Sequence, residues 1–453
     1  MNAVLKKALS NADVDYAEIH LEEREVTEVF YRGKELESIG TRKEYGGNVR
    51  AYHKGGWGFV SFNQLANLDD YVKSACNHAK LTSSGESKLN FTPKVKDSIS
   101  LKLKNDPRNV PLEEKEILAR NYNSIIMSSP LIQSTSVVYR DTYSNRTFVN
   151  TLGSDIKEEQ LYCGILLGAL AKDGTNVQSA SHSVSKTTGY DTVVGLEKEA
   201  ERITKEACDL LKAEKVNAGV YTVVADPHLA GVFCHEAFGH LSEADHAYGN
   251  PQLMEVMKLG KRFGRDELSI IDDGSFPGQQ GSYKYDDEGT PSQKTYLIKD
   301  GILSGRLHSV ETAGKLNEPV TGNARAITYR FKPIVRMSCT CIEPRDKTFE
   351  EMISEIDNGI YAKESLGGMT QLEMFTFSAA KAYLIKNGKI GPMVRDVMLS
   401  GNIFKTLQDI DAIGNDMKVF GSLGGCGKDG QGPLPVSMGS PHIRIKNVVI
   451  GGK

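Results

Sequence analysis

The segment Cys-His-Glu-Ala-Phe-Gly-His at residues 234–240 holds the residue types that hydrolytic zinc sites use. The imidazole nitrogens of His235 and His240 suit zinc, and a hydrolytic site keeps one coordination position for water. Glu236 directly follows the first histidine, and a carboxylate placed there can take the proton from that water. The chemistry predicted from these residues is hydrolysis of a polarised carbonyl, most of all a peptide bond.

The spacing of the two histidines is unusual, because they are five positions apart whereas the common H-E-x-x-H pattern separates them by four. Five residues of regular α-helix advance about 140° around the axis, so the two rings would point in different directions. An i→i+5 widening, or a helix that ends inside the motif, would bring them together, and Gly239 eases either distortion. We predict a π-like turn or a helix terminus here. The alternative is two ordinary histidines near a helix end.

A third ligand has to come from elsewhere in the chain. Glu243, Asp245 and His246 follow the motif closely, although a surface position is more typical of residues such as Glu243 and His246. Cys426 lies far downstream in a glycine-rich segment, and a thiolate is a good zinc ligand that a flexible loop can bring in. The alternative role for this lone cysteine is a small apolar filler in a tight turn.

Six further segments accompany the histidine motif over nearly the whole chain. They are Gly-Gly-Asn-Val-Arg-Ala-Tyr at 46–52, Gly-Trp-Gly-Phe-Val-Ser at 56–61, Asp-Asp-Glu-Gly-Thr at 286–290, Gly-Asn-Ala-Arg-Ala at 322–326, Pro-Ile-Val-Arg-Met at 333–337 and Gly-Cys-Gly-Lys-Asp-Gly-Gln at 425–431. In this order they resemble the TldD/PmbA family of metalloproteases, and specifically its metal-binding TldD branch.

The resemblance implies a role for each matching residue. In the metal-binding branch the two motif histidines and the late cysteine bind zinc, which here implies His235, His240 and Cys426. The motif glutamate is the catalyst, which implies Glu236. The family is expected to act on unfolded or short peptides in an interior between subunits. A homodimer, or a heterodimer with a PmbA-like subunit that lacks the metal motif, is therefore expected.

Three other residues are candidates for binding substrate or for supporting the metal ligands. Asp287, in the acidic run 286–288, could orient a ligand histidine, although a solvated turn is the more typical role of such a run. Arg325 could hold a peptide carboxylate or an oxyanion, and a structural ion pair fits it equally well. Asn323 belongs to the same Gly-Asn-Ala-Arg-Ala segment.

Composition excludes several classes of protein. The 453 residues are 39% hydrophobic and 25% charged with a net charge of −3, so no electrostatic footprint for nucleic acid or an anionic membrane is present. The sequence has no secretion signal and no apolar run that could span a bilayer. Seven cysteines without framework spacing favour reduced thiols and a cytoplasmic location.

The pattern of elements predicts an α+β fold, strand-rich and multi-domain, with mixed and antiparallel sheets. The units expected are 1–90, 91–216 and a strand-rich metallopeptidase domain 217–453. Helices are predicted near 68–81, 112–129 and 195–213, the last by its helical spacing of apolar residues. Asp226 should cap a further helix, with Pro227 as first residue, that delivers the metal motif. Two Tyr-Leu-Ile-Lys-Asx-Gly segments, at 296–301 and 383–388, predict type I′ hairpins.

Three other functions stay open at this point. A non-catalytic peptide-binding or maturation partner would carry a structural metal, which four protein ligands usually close. A metal-assisted amidase would act on a small molecule, and the depth of its pocket would distinguish it from a peptidase. Modulation of DNA gyrase is the third, although the acidic net charge argues against direct DNA binding.

Overall fold

The computed structural model describes residues 2–85, 88–371 and 373–451. Its N-terminal half consists mainly of long strands and four α-helices. The elements are α1 (Asn2–Leu9), β1 (Tyr16–Arg32), β2 (Glu35–His53), β3 (Gly56–Phe62), α2 (Leu68–Leu81), β4 (Lys96–Ile99), α3 (Leu112–Ile126), β5 (Ile132–Asn150), β6 (Asp155–Asp173), β7 (Asn176–Lys186) and α4 (Glu197–Lys212). The helices predicted near 68, 112 and 195 are confirmed.

Strands β1 to β7 form one sheet in the order β3-β2-β1-β5-β6-β4, with β7 also paired to β6. The neighbours are antiparallel except for β4 and β6. Helix α2 packs on β2 and β3, and α4 packs on β6 and β7. Strands from both sides of residue 90 therefore share a sheet, which joins the expected units 1–90 and 91–216.

The C-terminal half consists mainly of shorter strands. Its elements are β8 (Glu214–Lys215), β9 (Gly219–Ala225), α5 (Pro227–Cys234), α6 (Ala244–Tyr248), α7 (Pro251–Val256), β10 (Ile270–Asp273), β11 (Lys294–Lys299), β12 (Ile302–Leu303), α8 (Val310–Leu316), β13 (Ala324–Arg325), β14 (Ile334–Val335), β15 (Cys339–Ile342), α9 (Phe349–Ser354), β16 (Asn358–Gln371), β17 (Met374–Lys386), β18 (Lys389–Arg395), β19 (Met398–Asn402), α10 (Ile403–Asp409), β20 (Ile410–Ile413), β21 (Lys418–Gly421), β22 (Cys426–Lys428), β23 (Gln431–Leu434), β24 (Ser437–Ser440) and β25 (Ile443–Gly451). The α+β class with mixed and antiparallel sheets is confirmed.

Helix α5 lies between a closed ring of strands and a second, mixed sheet. Strands β16, β9, β25, β19 and β17 pair in that order, and β17 pairs back to β16, so they close into a ring. A mixed sheet in the order β12-β11-β10-β15-β24-β21 forms the second layer. Helix α5 packs against β16 of the ring and β24 of the sheet. Its buried apolar side chains, such as Leu229 and Phe233, belong to the core that both layers share.

Both predicted hairpins are confirmed. Asp300 and Gly301 join β11 to β12 with φ angles of 50° and 77°, and Asn387 and Gly388 join β17 to β18 with φ angles of 48° and 72°. Two consecutive positive φ angles are the signature of a type I′ turn. Within the part of the chain that the structure describes, no helix has the length and apolar character needed to cross a membrane.

Candidate metal centre

Helix α5 begins as its sequence predicts. The Asp226 carboxylate accepts a hydrogen bond from the Leu229 N–H at 2.8 Å, and Pro227 occupies the first helical position. The same carboxylate accepts from the Glu364 N–H at 3.0 Å, which ties the start of the helix to β16. The residues that follow α5 are thereby held against the strand ring.

The helix continues into a π-helical turn, His235–Gly239, as the five-residue spacing predicts. The widened turn places the His235 and His240 rings 5.2 Å apart between centroids. Gly239 is required for packing as well as for the turn, because a Cβ there would lie 2.1 Å from the Met337 sulfur. Met337 is fully buried, so the turn and the core beneath it fit closely.

Cys426 lies beside this turn. One ligand atom from each of His235, His240 and Cys426 falls within 4.8 Å of the others, and the Cys426 sulfur is 3.3 Å from His240 Nε2. The sulfur arrives on the hairpin of β22 and β23, where Cys426 pairs with Leu434. The structure thus brings together residues that are nearly the length of a domain apart in sequence.

The position of this hairpin is set by a buried arginine. Arg336 has no exposed surface, and its guanidinium donates to the Cys426 carbonyl oxygen at 2.6 Å and to the Gln431 carbonyl oxygen at 3.1 Å. A planar guanidinium with two fixed donors holds both strands of the hairpin at once. The backbone of Cys426 is therefore anchored independently of anything its sulfur binds.

The donor set fits a metal ion. His235 is fully buried, yet within the described ranges neither of its ring nitrogens has a hydrogen-bond partner. Leaving a buried polar group unpaired is costly, and a metal ion bound to one of these nitrogens would reduce that cost. Burial opposes ionisation of the Cys426 thiol, but the neighbouring imidazoles of His235 and His240 lower its pKa to about 5. Two imidazoles and a thiolate are ligands that suit zinc.

Glu243 holds His240 from the opposite side. Its Oε2 atom lies 2.9 Å from His240 Nδ1, 3.5 Å from His246 Nε2 and 3.2 Å from the Lys428 ammonium. The Glu243 side chain is fully buried, so the surface position expected for it is wrong, whereas His246 is exposed as expected. Burial opposes its ionisation, but these donors bring the pKa of Glu243 far below 4.5.

His240, Glu243 and His246 form a second group of potential ligand atoms within 4.8 Å of one another. The Lys428 ammonium, which also contacts Asp245 at 2.6 Å, already compensates the carboxylates of this group. A second cation beside it would be repelled. Glu243 is therefore better suited to orienting His240 than to binding a metal.

Glu236 stands at the accessible side of the cluster. Its Oε2 atom is 3.9 Å from His240 Nε2, and its side chain keeps 32% of its surface exposed. Its own carbonyl oxygen accepts from the Thr370 hydroxyl at 3.2 Å, which links the turn to β16. A carboxylate that reaches both solvent and the cluster can exchange protons with a water there.

The other predicted candidates make their contacts away from this cluster. Asn323 donates to Asp272 at 2.9 Å and to the Arg336 carbonyl oxygen at 3.0 Å. Arg325 donates to two main-chain carbonyl oxygens, and among the described residues no carboxylate pairs with it, so the alternative of an ion pair is not found. Asp287 forms an ion pair with Arg146 and accepts from the Ala326 N–H at 2.7 Å.

The solvated turn expected for residues 286–288 is wrong, since all three acidic side chains are buried at 4 to 5% exposure. Their oxygens accept hydrogen bonds from backbone N–H groups, including those of Thr290 and Ala324 for Asp286. Ala324 lies 38 positions from Asp286 in the chain, and a run of acids does not reveal such a donor.

Sequence reasoning missed Lys428. Its position could have been inferred, because Cys426 and Lys428 are two residues apart on one strand and so lie on the same face. The pair therefore presents a thiol and an ammonium to the same surroundings.

Comparison with known proteins agrees with these features. Three sequence profiles match, described as PmbA/TldA metallopeptidase domain 1 at residues 17–79, the central domain at 105–214 and the C-terminal domain at 218–452. The chain belongs to the PmbA/TldD family of metallopeptidases.

Two relatives align over almost the entire length. A metalloprotease of Synechocystis sp. is 42% identical over 443 residues, which cover 97% of this chain and 96% of the relative. A protein of Saccharolobus solfataricus described as a zinc metalloprotease TldD homolog is 29% identical over 98% of this chain and 97% of its own. Among solved structures, TldE from Thermococcus kodakarensis shares the fold with a TM-score of 0.77 at 18% identity, covering 99% of this chain and 100% of that one.

Proposed function

We propose that this chain is a zinc-dependent metallopeptidase that hydrolyses peptide bonds in unfolded or short peptides. His235, His240 and Cys426 would hold the ion, and Glu236 would act as general base. The observation that carries the proposal is the partly exposed Glu236 carboxylate beside three clustered ligand atoms. One of these atoms belongs to buried His235, whose ring nitrogens have no hydrogen-bond partner among the described residues.

Zinc, when bound, lowers the pKa of a water molecule and polarises a substrate carbonyl. Glu236 supplies the proton transfers: its carboxylate takes a proton from the attacking water and delivers it to the leaving amine nitrogen. Glu243 keeps the Nδ1 side of His240 engaged, so Nε2 is the nitrogen that faces the cluster. Lys428 neutralises Glu243 in turn.

Strand β16 offers a place for an extended peptide. It pairs with β17 along its length, but with β9 only from Gly359 to Ala362. Residues 366–369 are exposed, and Thr370 contacts the carbonyl of Glu236. A peptide that pairs with this free edge would be bound through its backbone and brought to the base with little regard for its side chains.

The three-ligand cluster favours catalysis over a structural metal. Among the described residues, Glu243 and Asp245 are engaged by Lys428 and do not complete a fourth protein ligand. A structural site usually has four protein ligands, whereas a hydrolytic site keeps one position for water.

We further propose that the enzyme works as a dimer, either with a second copy or with a PmbA-like subunit. The likeness of its fold to TldE supports a pairing between chains of this shape. All seven cysteines are unpaired, which favours a reducing, cytoplasmic setting.

The deciding experiment compares Glu236→Gln with the wild type in zinc content and in cleavage of an unstructured peptide. The variant should keep its zinc and lose at least about a hundredfold in cleavage rate, the usual contribution of a general base. Glu255→Gln, at an exposed position on α7, is the matched control. Turnover retained by Glu236→Gln would rule out this base, and a zinc-loaded wild type without peptidase activity would favour the non-catalytic partner.

A further inference from the structure

A cavity of about 400 Å³ lies between the N-terminal sheet and the hairpin that carries Cys426. The sheet contributes alternate residues of its strands, among them Glu22 and Arg24 of β1 and Arg140 and Arg146 of β5. Alternate residues of a strand point to one face, so this face of the sheet is the cavity wall. The proposed metal ligands and general base do not account for its arginines.

Most of the guanidinium groups in the cavity are already compensated. Arg140 donates to the Glu28 carboxylate at 2.9 Å, and Arg146 forms an ion pair with Asp287. Arg42, largely exposed at the rim, lies 3.7 Å from Glu44. These pairs leave little charge for a ligand.

Two guanidinium groups are different. Arg24 is half-buried, and within residues 2–85, 88–371 and 373–451 no hydrogen bond or ion pair engages its guanidinium. Arg325 is buried, and its guanidinium lies over the Tyr283 ring at 4.7 Å. Its hydrogen bonds to other described residues go to the carbonyl oxygens of Met337 and Pro435, each at 2.7 Å. Among the described residues no carboxylate lies within ion-pair distance of either guanidinium, so both can pair with a carboxylate of a ligand.

The acidic groups of the lining have partners other than Arg24 and Arg325. Glu22 uses one carboxylate oxygen to accept from the Tyr329 N–H at 3.0 Å. Burial, together with the nearby Glu288 carboxylate, raises the pKa of Asp286 well above its ordinary value and so favours its neutral form. The phenol of Tyr162 lies in the electrostatic field of Arg325, Arg146 and Arg24 together, which indicates that these guanidinium groups converge on one region.

The cavity also adjoins the metal centre. Gly424 and Leu434 form part of its wall, and Leu434 is the strand partner of Cys426. Gly424 is two residues from Cys426, which places this wall within about 7 Å of the Cys426 backbone. If one group of a substrate peptide is bound in the cavity, a peptide bond only a few residues away could therefore reach the cluster.

We propose that this cavity binds a carboxylate of the peptide substrate, with Arg24 and Arg325 as its cationic groups. The inference rests on the proposed peptidase function and adds a preference for peptides that carry a carboxylate. Guanidinium groups pair with carboxylates through charge-assisted hydrogen bonds, and a partly buried site strengthens them. The carboxylate could be the peptide's C-terminus or an acidic side chain, and the test distinguishes these sources.

The test measures calorimetric binding of three N-acetylated Ala/Ser hexapeptides to the full chain carrying Glu236→Gln, which prevents turnover. One peptide has a free C-terminus, one has an amidated C-terminus, and one is amidated but contains a single Glu. At least one carboxylate peptide should bind about tenfold more tightly than the neutral amide. A preference confined to the first peptide identifies the C-terminal carboxylate, and one confined to the third identifies the side chain.

Arg24→Gln should abolish this preference. Arg32→Gln, on the same strand but outside the cavity and 64% exposed, is the matched control and should retain it. Equal affinities for all three peptides, or an unchanged preference in Arg24→Gln, would overturn the inference. Cleavage of the neutral amide by the wild-type chain is measured separately: its presence upholds the peptidase even if the preference fails, and its absence removes the function itself.

Discussion

The Nδ1 atom of His240 lies 2.9 Å from Oε2 of Glu243, a carboxylate with no exposed side-chain surface. This contact fixes the orientation of the ring, so that Nε2 faces the Cys426 sulfur at 3.3 Å. The geometry of the cluster thus depends on a residue that does not itself point into it.

Glu243→Gln should weaken zinc binding about 10- to 100-fold, because carboxylates that orient a ligand histidine typically contribute this much. The affinity is measured by competition with a chromophoric chelator. Glu267→Gln, an exposed carboxylate elsewhere in the same domain, is the control and should leave the affinity unchanged. Equal zinc affinity in Glu243→Gln and the wild type would remove this role from Glu243.

Cys426→Ser should lose most of its bound zinc on dialysis, because a hydroxyl is a much poorer zinc ligand than a thiolate. Elemental analysis of the purified protein gives the content directly. Cys208→Ser changes a half-buried thiol on α4 that is not part of the cluster, and it should keep the wild-type content. A zinc content that survives the change at Cys426 would exclude the sulfur from the site.

Gly239→Ala should destabilise the protein by about 2 kcal/mol and lower its zinc content, because the added Cβ would overlap the buried Met337 sulfur and force repacking. Urea unfolding followed by circular dichroism measures the loss. Gly249→Ala is the control, since nothing lies within 4 Å of its added Cβ. If the two variants have the same free energy of unfolding, the close packing of Gly239 against Met337 does not contribute to stability.

Asp411→Asn tests the acid dependence of the ion pairs between β20 and β25 of the strand ring. Burial opposes ionisation of Asp411, but hydrogen bonds from Arg444 at 2.8 Å and from Lys446 hold its pKa below 3.8. A lowered pKa contributes stability that is complete above 3.8 and is lost as the pH falls through the lower folded-state value.

The wild type should therefore exceed Asp411→Asn by about 2 kcal/mol near neutral pH, and the difference should shrink toward about pH 2. Urea midpoints recorded across this range provide the measurement. Asp266→Asn, whose partner Arg262 is also exposed, should match the wild type throughout. A difference between wild type and Asp411→Asn that does not change with pH would contradict the assigned ion pair.

Local features of the site could be predicted from sequence because their causes are local. The five-residue spacing and Gly239 predicted the widened turn, and Asp226 with Pro227 predicted the start of α5. Both hairpins followed from Asx-Gly turns, which impose positive φ angles whatever the surroundings.

Long-range features could not be predicted in this way. The burial of Asp287 depends on Arg146, which comes from β5 of the N-terminal sheet. The burial of Glu243 depends on Lys428, on a hairpin near the other end of the domain. Ligand chemistry offered Cys426 only as one of several candidates, and its proximity to the histidines was implied by the family resemblance. The structure places these atoms together, whereas their roles toward a metal stay predictions.

His240 and Cys426 are separated by 186 positions. Under the proposed ligand set, the ribosome would synthesise both ligand histidines long before it reaches Cys426. A polypeptide that ends before Cys426 would therefore be inert, and proteolytic competence would begin only after this cysteine had been made.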